Sequence, residues 1–150
     1  MVNTLTKPIE ISVPTDSRLT KNGMKGTHGR TLQRITKSHR ATARALAQEV
    51  LADRPDWEAL AEAEVYITSY YPRTPMDYDG LACAVAPAVD RMVDAGVLED
   101  DSPRCIKVYK MRFVKVGTVS EKRVVISVAP CQYDRPWGNY IEGEEKCLNI

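Results

Sequence analysis

Apolar residues recur along this chain in two periods, and the switches between them mark its elements. Ile9-Glu10-Ile11-Ser12-Val13 alternates apolar and polar positions and stops at Pro14, which predicts a first strand. The stretch from Thr15 to Thr31 has little apolar content and much Gly, Thr, Lys and Arg, so a long loop is expected there, with at most a short hairpin. His39, Ala43, Leu46 and Val50 then fall on one helical stripe. They predict a helix from about His39 to Ala52, with Ser38 as its cap. Asp53-Arg54-Pro55 breaks that helix, and Asp56-Trp57 starts a short turn.

The segment from Glu64 to Tyr71 is β-branched and aromatic and predicts a second strand, edged by Pro72 and Pro75. Leu81, Val85, Ala88, Val89, Met92 and Val93 return to the helical period, and Gly96 stands where a helix-ending C′ glycine belongs. Pro87 inside this pattern predicts a kink, or a helix that begins near it. Arg104 to Val116 is strand-like, with a slip in apolar phase that predicts a bulge near Tyr109-Lys110. After a turn at Gly117-Thr118, Arg123 to Ala129 predicts a last strand, antiparallel to the one before it. The order β-α-β-α-β-β predicts an α/β (α+β) fold, a single small domain with a mixed sheet of about four strands packed by two main helices. Residues 1–129 form the expected domain. Residues 130–150, with Tyr133, Trp137 and Tyr140, form a C-terminal extension.

Composition narrows the class. The 150 residues are 43% hydrophobic and 27% charged, as in ordinary globular domains. No stretch approaches the roughly 20 apolar residues that cross a bilayer, and MVNTLTKP lacks a signal-peptide core, so a cytoplasmic protein without a membrane partner is expected. Cys83, Cys105, Cys131 and Cys147 are widely spaced with no zinc pattern and are expected as free thiols. No GxSxG or Cys-His arrangement is present, and His28 and His39 are expected at the surface or against DNA rather than as catalytic bases.

The net charge of +1 conceals a strong order. Arg18, Lys21, Lys25, Arg30, Arg34, Lys37, Arg40 and Arg44 run without an acid between them, a pattern suited to nucleic-acid phosphates. Arg73 adds a cation between the two prolines. The glycines of the basic stretch match no phosphate-binding fingerprint. Acids gather later. Asp77 and Asp79 would point to the same side of an extended backbone about 7 Å apart, and Asp100-Asp101-Ser102-Pro103 follows the second helix. Carboxylates brought together from these two places would hold Mg²⁺, or Mn²⁺, which neutralises a phosphodiester and activates water. The plainer alternative is that Asp79 caps a helix and Asp100 to Pro103 form a turn.

DYDGL followed by a helix ending in VDAGVLEDDSP resembles the signature of the RusA family of Holliday junction resolvases, most closely over Pro72 to Tyr109. The resemblance implies a homodimeric endonuclease that binds four-way DNA junctions and nicks opposed strands with Mg²⁺. It puts the catalytic, metal-binding aspartates on Asp77, Asp79 and Asp101, with Asp100 beside them. Two positions depart from the family pattern. Gly80 stands where the family has asparagine, and Ala86, just before Pro87, stands where it has a lysine thought to assist the chemistry. Arg91, Lys107 and Lys110 are candidate substitutes. The alternative is a junction-binding dimer with a degenerate active site. A protein-interaction module working through the aromatic tail is a third reading.

Overall fold

The computed structural model describes residues 7–131. Four strands form one mixed sheet: β1 (Ile9–Val13), β2 (Ala63–Tyr71), β3 (Ile106–Lys115) and β4 (Arg123–Pro130), in the spatial order β1-β4-β2-β3. Three helices accompany them: α1 (Lys21–Gly26), α2 (Gly29–Ala52) and α3 (Tyr78–Asp94). The expected α/β class with a four-stranded mixed sheet is therefore present, with α1 added to the two main helices.

The alternation of β1 appears directly in its burial, with Ile9, Ile11 and Val13 inside and Glu10 and Ser12 exposed. β2 is central and is covered along most of its length. Its apolar residues Val65 and Ile67 join Ile11, Val85, Met92, Ile126 and Val128 in one core under α2 and α3. No helix among the described residues is long and apolar enough to cross a membrane.

The last strand pairs differently from the expectation. β4 runs antiparallel to both β1 and β2 and does not touch β3, which lies parallel to β2 at the sheet edge. The α3 crossover returns the chain to the same end of the sheet before β3 starts, so β3 must be parallel to β2. β4 then takes the open edge on the far side of β2. The register shift also lies earlier than expected. Ala63 aligns with Ile106 but Glu64 with Val108, which makes Lys107 the extra residue rather than Tyr109 or Lys110.

The stretch expected as a loop is mostly helical. A short 3-10 turn spans Ser17–Leu19, and Thr20 caps α1 by accepting from the Gly23 amide at 3.1 Å. Leu19 is fully buried against Ile35 and Ala84 and anchors this segment to the helices. α2 begins ten residues before the expected start at His39, and Ser38 lies inside it, not at its cap. The apolar stripe extends backwards through Ile35 and Leu32, and the residues between are mostly good or tolerable helix formers, so nothing stops the helix before Gly29.

α3 is likewise longer than its apolar stripe, starting at Tyr78 and running unbroken through Pro87. It ends in a Schellman arrangement: Gly96 adopts φ +89°, its amide donates to Val93 O at 3.0 Å, and the Val97 amide donates to Met92 O at 2.9 Å. The sheet continues one residue past the expected domain limit, and the Cys131 amide donates to Glu62 O at 3.1 Å. Expectations for Tyr133, Trp137, Tyr140 and Cys147 fall outside the described residues. Cys83, Cys105 and Cys131 are free thiols.

Candidate nucleic-acid interface and acidic helix ends

Arg30, Arg34, Lys37, Arg40 and Arg44 share one face of α2, because their spacings of three and four keep returning to the same side. Ile35, His39, Ala43 and Ala47 occupy the opposite, buried face. The basic face runs about 21 Å along the helix axis. Arg30, Arg34, Lys37 and Arg44 are exposed. Arg40 reaches across to Asp90 of α3 at 3.8 Å, an exposed ion pair worth little in stability. Between α2 and α3 a cavity of about 580 Å³ is lined by Lys37, Arg40, Arg44 and Arg91. The Nε atoms of Arg40 and Arg91 are shielded there without a hydrogen-bond partner.

The rest of the expected basic arm is dispersed. Arg18 is clamped on Asp16, through Nε to Oδ1 at 3.0 Å and Nη2 to Oδ2 at 2.7 Å. That pairing lowers the Asp16 pKa and raises that of Arg18. Lys21 opens α1, and Lys25 is exposed in its last turn. Arg73 is exposed in the loop after β2. His28 is exposed, but His39 is buried, against the surface position expected for it, because it sits on the core stripe of α2. Burial lowers its pKa below the usual imidazole value.

The candidate aspartates flank α3, with Asp77 and Asp79 at its start and Asp100 and Asp101 in the turn between it and β3. Asp77 is the N-cap, and its Oδ1 accepts from the Gly80 amide at 2.6 Å. Asp79 lies in the first helical turn, so the two carboxylates do not line one side of an extended strand as expected. A Cβ at Gly80 would stand 2.7 Å from Asp77 Oδ1, which explains glycine at this position in this backbone. At the far end, Asp100 accepts from the Asp101 amide at 2.9 Å and from the Ser102 hydroxyl. The Ser102 hydroxyl is the chief reason its pKa lies below the ordinary carboxylate value. Asp79 and Asp101 are exposed, and neither carboxylate has a hydrogen bond or ion pair among the described residues.

The 17 residues of α3 separate these ends by roughly 25 Å. Asp77 follows the end of β2, whereas Asp100 and Asp101 precede the start of β3, its parallel neighbour. Leu98 is bridged to Leu60, ahead of β2, which fixes the second group at the opposite end of the strands. Among the described residues no three His, Cys, Asp or Glu side chains are grouped closely enough to hold a metal ion. The expected aspartates are therefore not brought together in one place within one chain.

Ala86 is exposed on α3, two helical turns beyond Asp79 and on the same face. Of the candidate replacements for the lysine, Arg91 is tied to Asp94 and near Asp90. Lys107 stands at the Asp100 end, near Glu62. Lys110 lies further along β3. At the Asp77 end, the exposed Tyr78 meets Phe113 edge-on at 5.1 Å between centroids and sets an aromatic face beside Asp79. A scan of protein-family models gives no match to this chain, and no curated protein matches it.

Sequence reasoning missed Tyr78 and Asp16, and it named Arg91 only as a substitute for the lysine, not as a lining residue of the cavity between α2 and α3. The Arg91-Asp94 pair had a visible signal in its i,i+3 spacing. Asp16 and Arg18 had only their nearness in sequence.

Proposed function

We propose that this chain is a homodimeric endonuclease of branched DNA, binding four-way or related junctions through the basic face of α2 and cutting them with Mg²⁺. The observation that carries the reading is the pair of exposed, unpartnered carboxylates, Asp79 and Asp101, at the two ends of one crossover helix. The RusA-like sequence pattern over the same helix supports it. Because the two groups lie at opposite ends of the parallel strands β2 and β3, a complete ligand set requires the Asp77-Asp79 end of one copy to meet the Asp100-Asp101 end of another. A two-fold dimer forms two such sites, matching the two strands nicked at a junction. The reading carries a cytoplasmic location with it.

Mixing two inactive variants tests this arrangement. Asp79→Asn and Asp101→Asn should each abolish Mg²⁺-dependent nicking of a synthetic four-way junction. Mixed and re-equilibrated, they form heterodimers in which one site carries both substitutions and the other carries neither. Nicking should return, one strand per junction. A site built within one chain would give no recovery.

The second reading is a junction-binding dimer that does not cut. Ala86, where the resemblance places a lysine, favours it. It is established if the unaltered chain shifts junctions in a gel but leaves them intact in Mg²⁺ and Mn²⁺.

A further inference from the structure

A second polar cavity, of about 380 Å³, lies between the end of β1, the 3-10 turn and the middle of α2. Thr15, Asp16 and Arg18 line one side, and Arg34 and His39 line the other. Two shielded polar atoms of this lining, Thr15 Oγ1 and His39 Nε2, have no hydrogen-bond partner. His39 is only 8% exposed. Buried polar atoms are almost always bonded, so two orphans on one cavity point to an occupant.

The surrounding charge selects its chemistry. Asp16 faces His39 but is already held at both oxygens by Arg18. Arg34 is thus a cation in excess, and His39 becomes another when it takes a proton. A hydroxyl and an imidazole N–H both donate to an oxyanion, and charge-assisted bonds of this kind are short and strong. The volume is many times the roughly 30 Å³ of one water. It suits a tetrahedral oxyanion with the substituent it carries.

We propose that this cavity binds a phosphate-type oxyanion, with Thr15 and His39 donating to it from the interior and Arg34 neutralising it from α2. The source is either free inorganic phosphate or a phosphate of a nucleic-acid strand. The site stands apart from the acidic ends of α3, so a chain that never cuts DNA retains it. Burial keeps the empty-state imidazole neutral, and the bound anion supplies the countercharge that lets it protonate. Anion binding therefore takes up a proton.

The test uses the full chain with sulfate, which stays dianionic across the relevant pH range. With His28→Gln, one histidine remains for NMR. Sulfate should shift the His39 ring signals saturably and raise their titration midpoint, while chloride at equal ionic strength should not. Sulfate affinity should strengthen by roughly tenfold per unit fall in pH between the bound and free midpoints. Thr15→Val, nearly isosteric, should weaken sulfate several-fold with an unchanged melting temperature. Displacement of sulfate by a 5′-phosphorylated oligonucleotide at lower concentration than inorganic phosphate assigns a nucleic-acid source, and equal potency assigns free phosphate. Identical His39 titrations in sulfate and chloride overturn the proposal and leave water as the occupant.

Discussion

The helical basic arm and the acidic crossover handle charge in opposite ways. On α2, like charges stand on one continuous face, and one helix suffices to display them. On α3, the carboxylates are sent to opposite ends, and no single copy reunites them. A binding surface of the first kind works in a monomer. A site of the second kind depends on assembly. On the proposed reading, the difference separates affinity for DNA from the capacity to cut it, so that each should be open to disturbance without the other.

The largest expected effect is on cutting alone. Asp79→Asn should lower nicking by at least about 10²-fold, the scale for losing one group that stabilises charge at a reacting centre. Junction affinity in a gel-shift assay should stay within about twofold or rise slightly, since a negative charge has gone. Equal loss of binding and cutting would erase the contrast between the regions. Ala86→Lys sharpens it from the other side. A cation restored on the Asp79 face should raise the nicking rate by about tenfold or more, measured on the same junction. No gain would show that the departure at this position is not what limits the rate.

Arg34→Glu with Arg44→Glu should weaken junction binding and flatten its salt dependence, by a slope of about one for each phosphate no longer neutralised. Cutting at saturating protein should survive. An unchanged slope would remove α2 from the interface. On stability, Leu19→Ala should cost about 2–4 kcal/mol in a denaturant titration, because it empties the fully buried space against Ile35 and Ala84. A loss of a few tenths would mean that the arm is only loosely attached.

The smallest effect is one of pH. His39, kept neutral by burial, binds fewer protons in the folded chain than in the unfolded chain. Stability therefore falls as pH drops through the unfolded value of about 6.5 and stops falling once the folded imidazole is also protonated. His39→Gln should flatten melting temperature against pH in that window without sulfate. A profile unchanged by the substitution would leave the imidazole accessible to protons in the folded chain.

The strands were legible because alternation and β-branching report a local, two-sided environment, and Ile9 to Val13 and Glu64 to Tyr71 were read almost to the residue. The end of α3 at Gly96 was legible because one backbone conformation demands that residue. The start of α2 was not. Gly29, Arg30, Thr31 and the residues just after them read as a loop until Leu32 and Ile35 are seen packing near Leu19. The pairing of β4 was hidden as well, since adjacency in sequence suggested β3 and only the crossover of α3 reserves the other side of β2. For the candidate site, the sequence identified the aspartates, but it did not show that the helix between them holds them apart.

The position of β4 between β1 and β2 also sets an order of events during synthesis. Ile9 pairs with Val128, so β1 has no strand beside it until β4 has emerged from the ribosome. The β2-α3-β3 unit, closed by nearer pairings, can form while β1 waits. Pairings between such distant parts of a chain form slowly. In pulse-labelled hydrogen exchange during refolding, β1 amides should gain protection together with those of β4 and after those of α3. A nascent chain stalled before Arg123 would leave Ile9, Ile11 and Val13 without the strand that pairs with them, their backbone groups open to another chain.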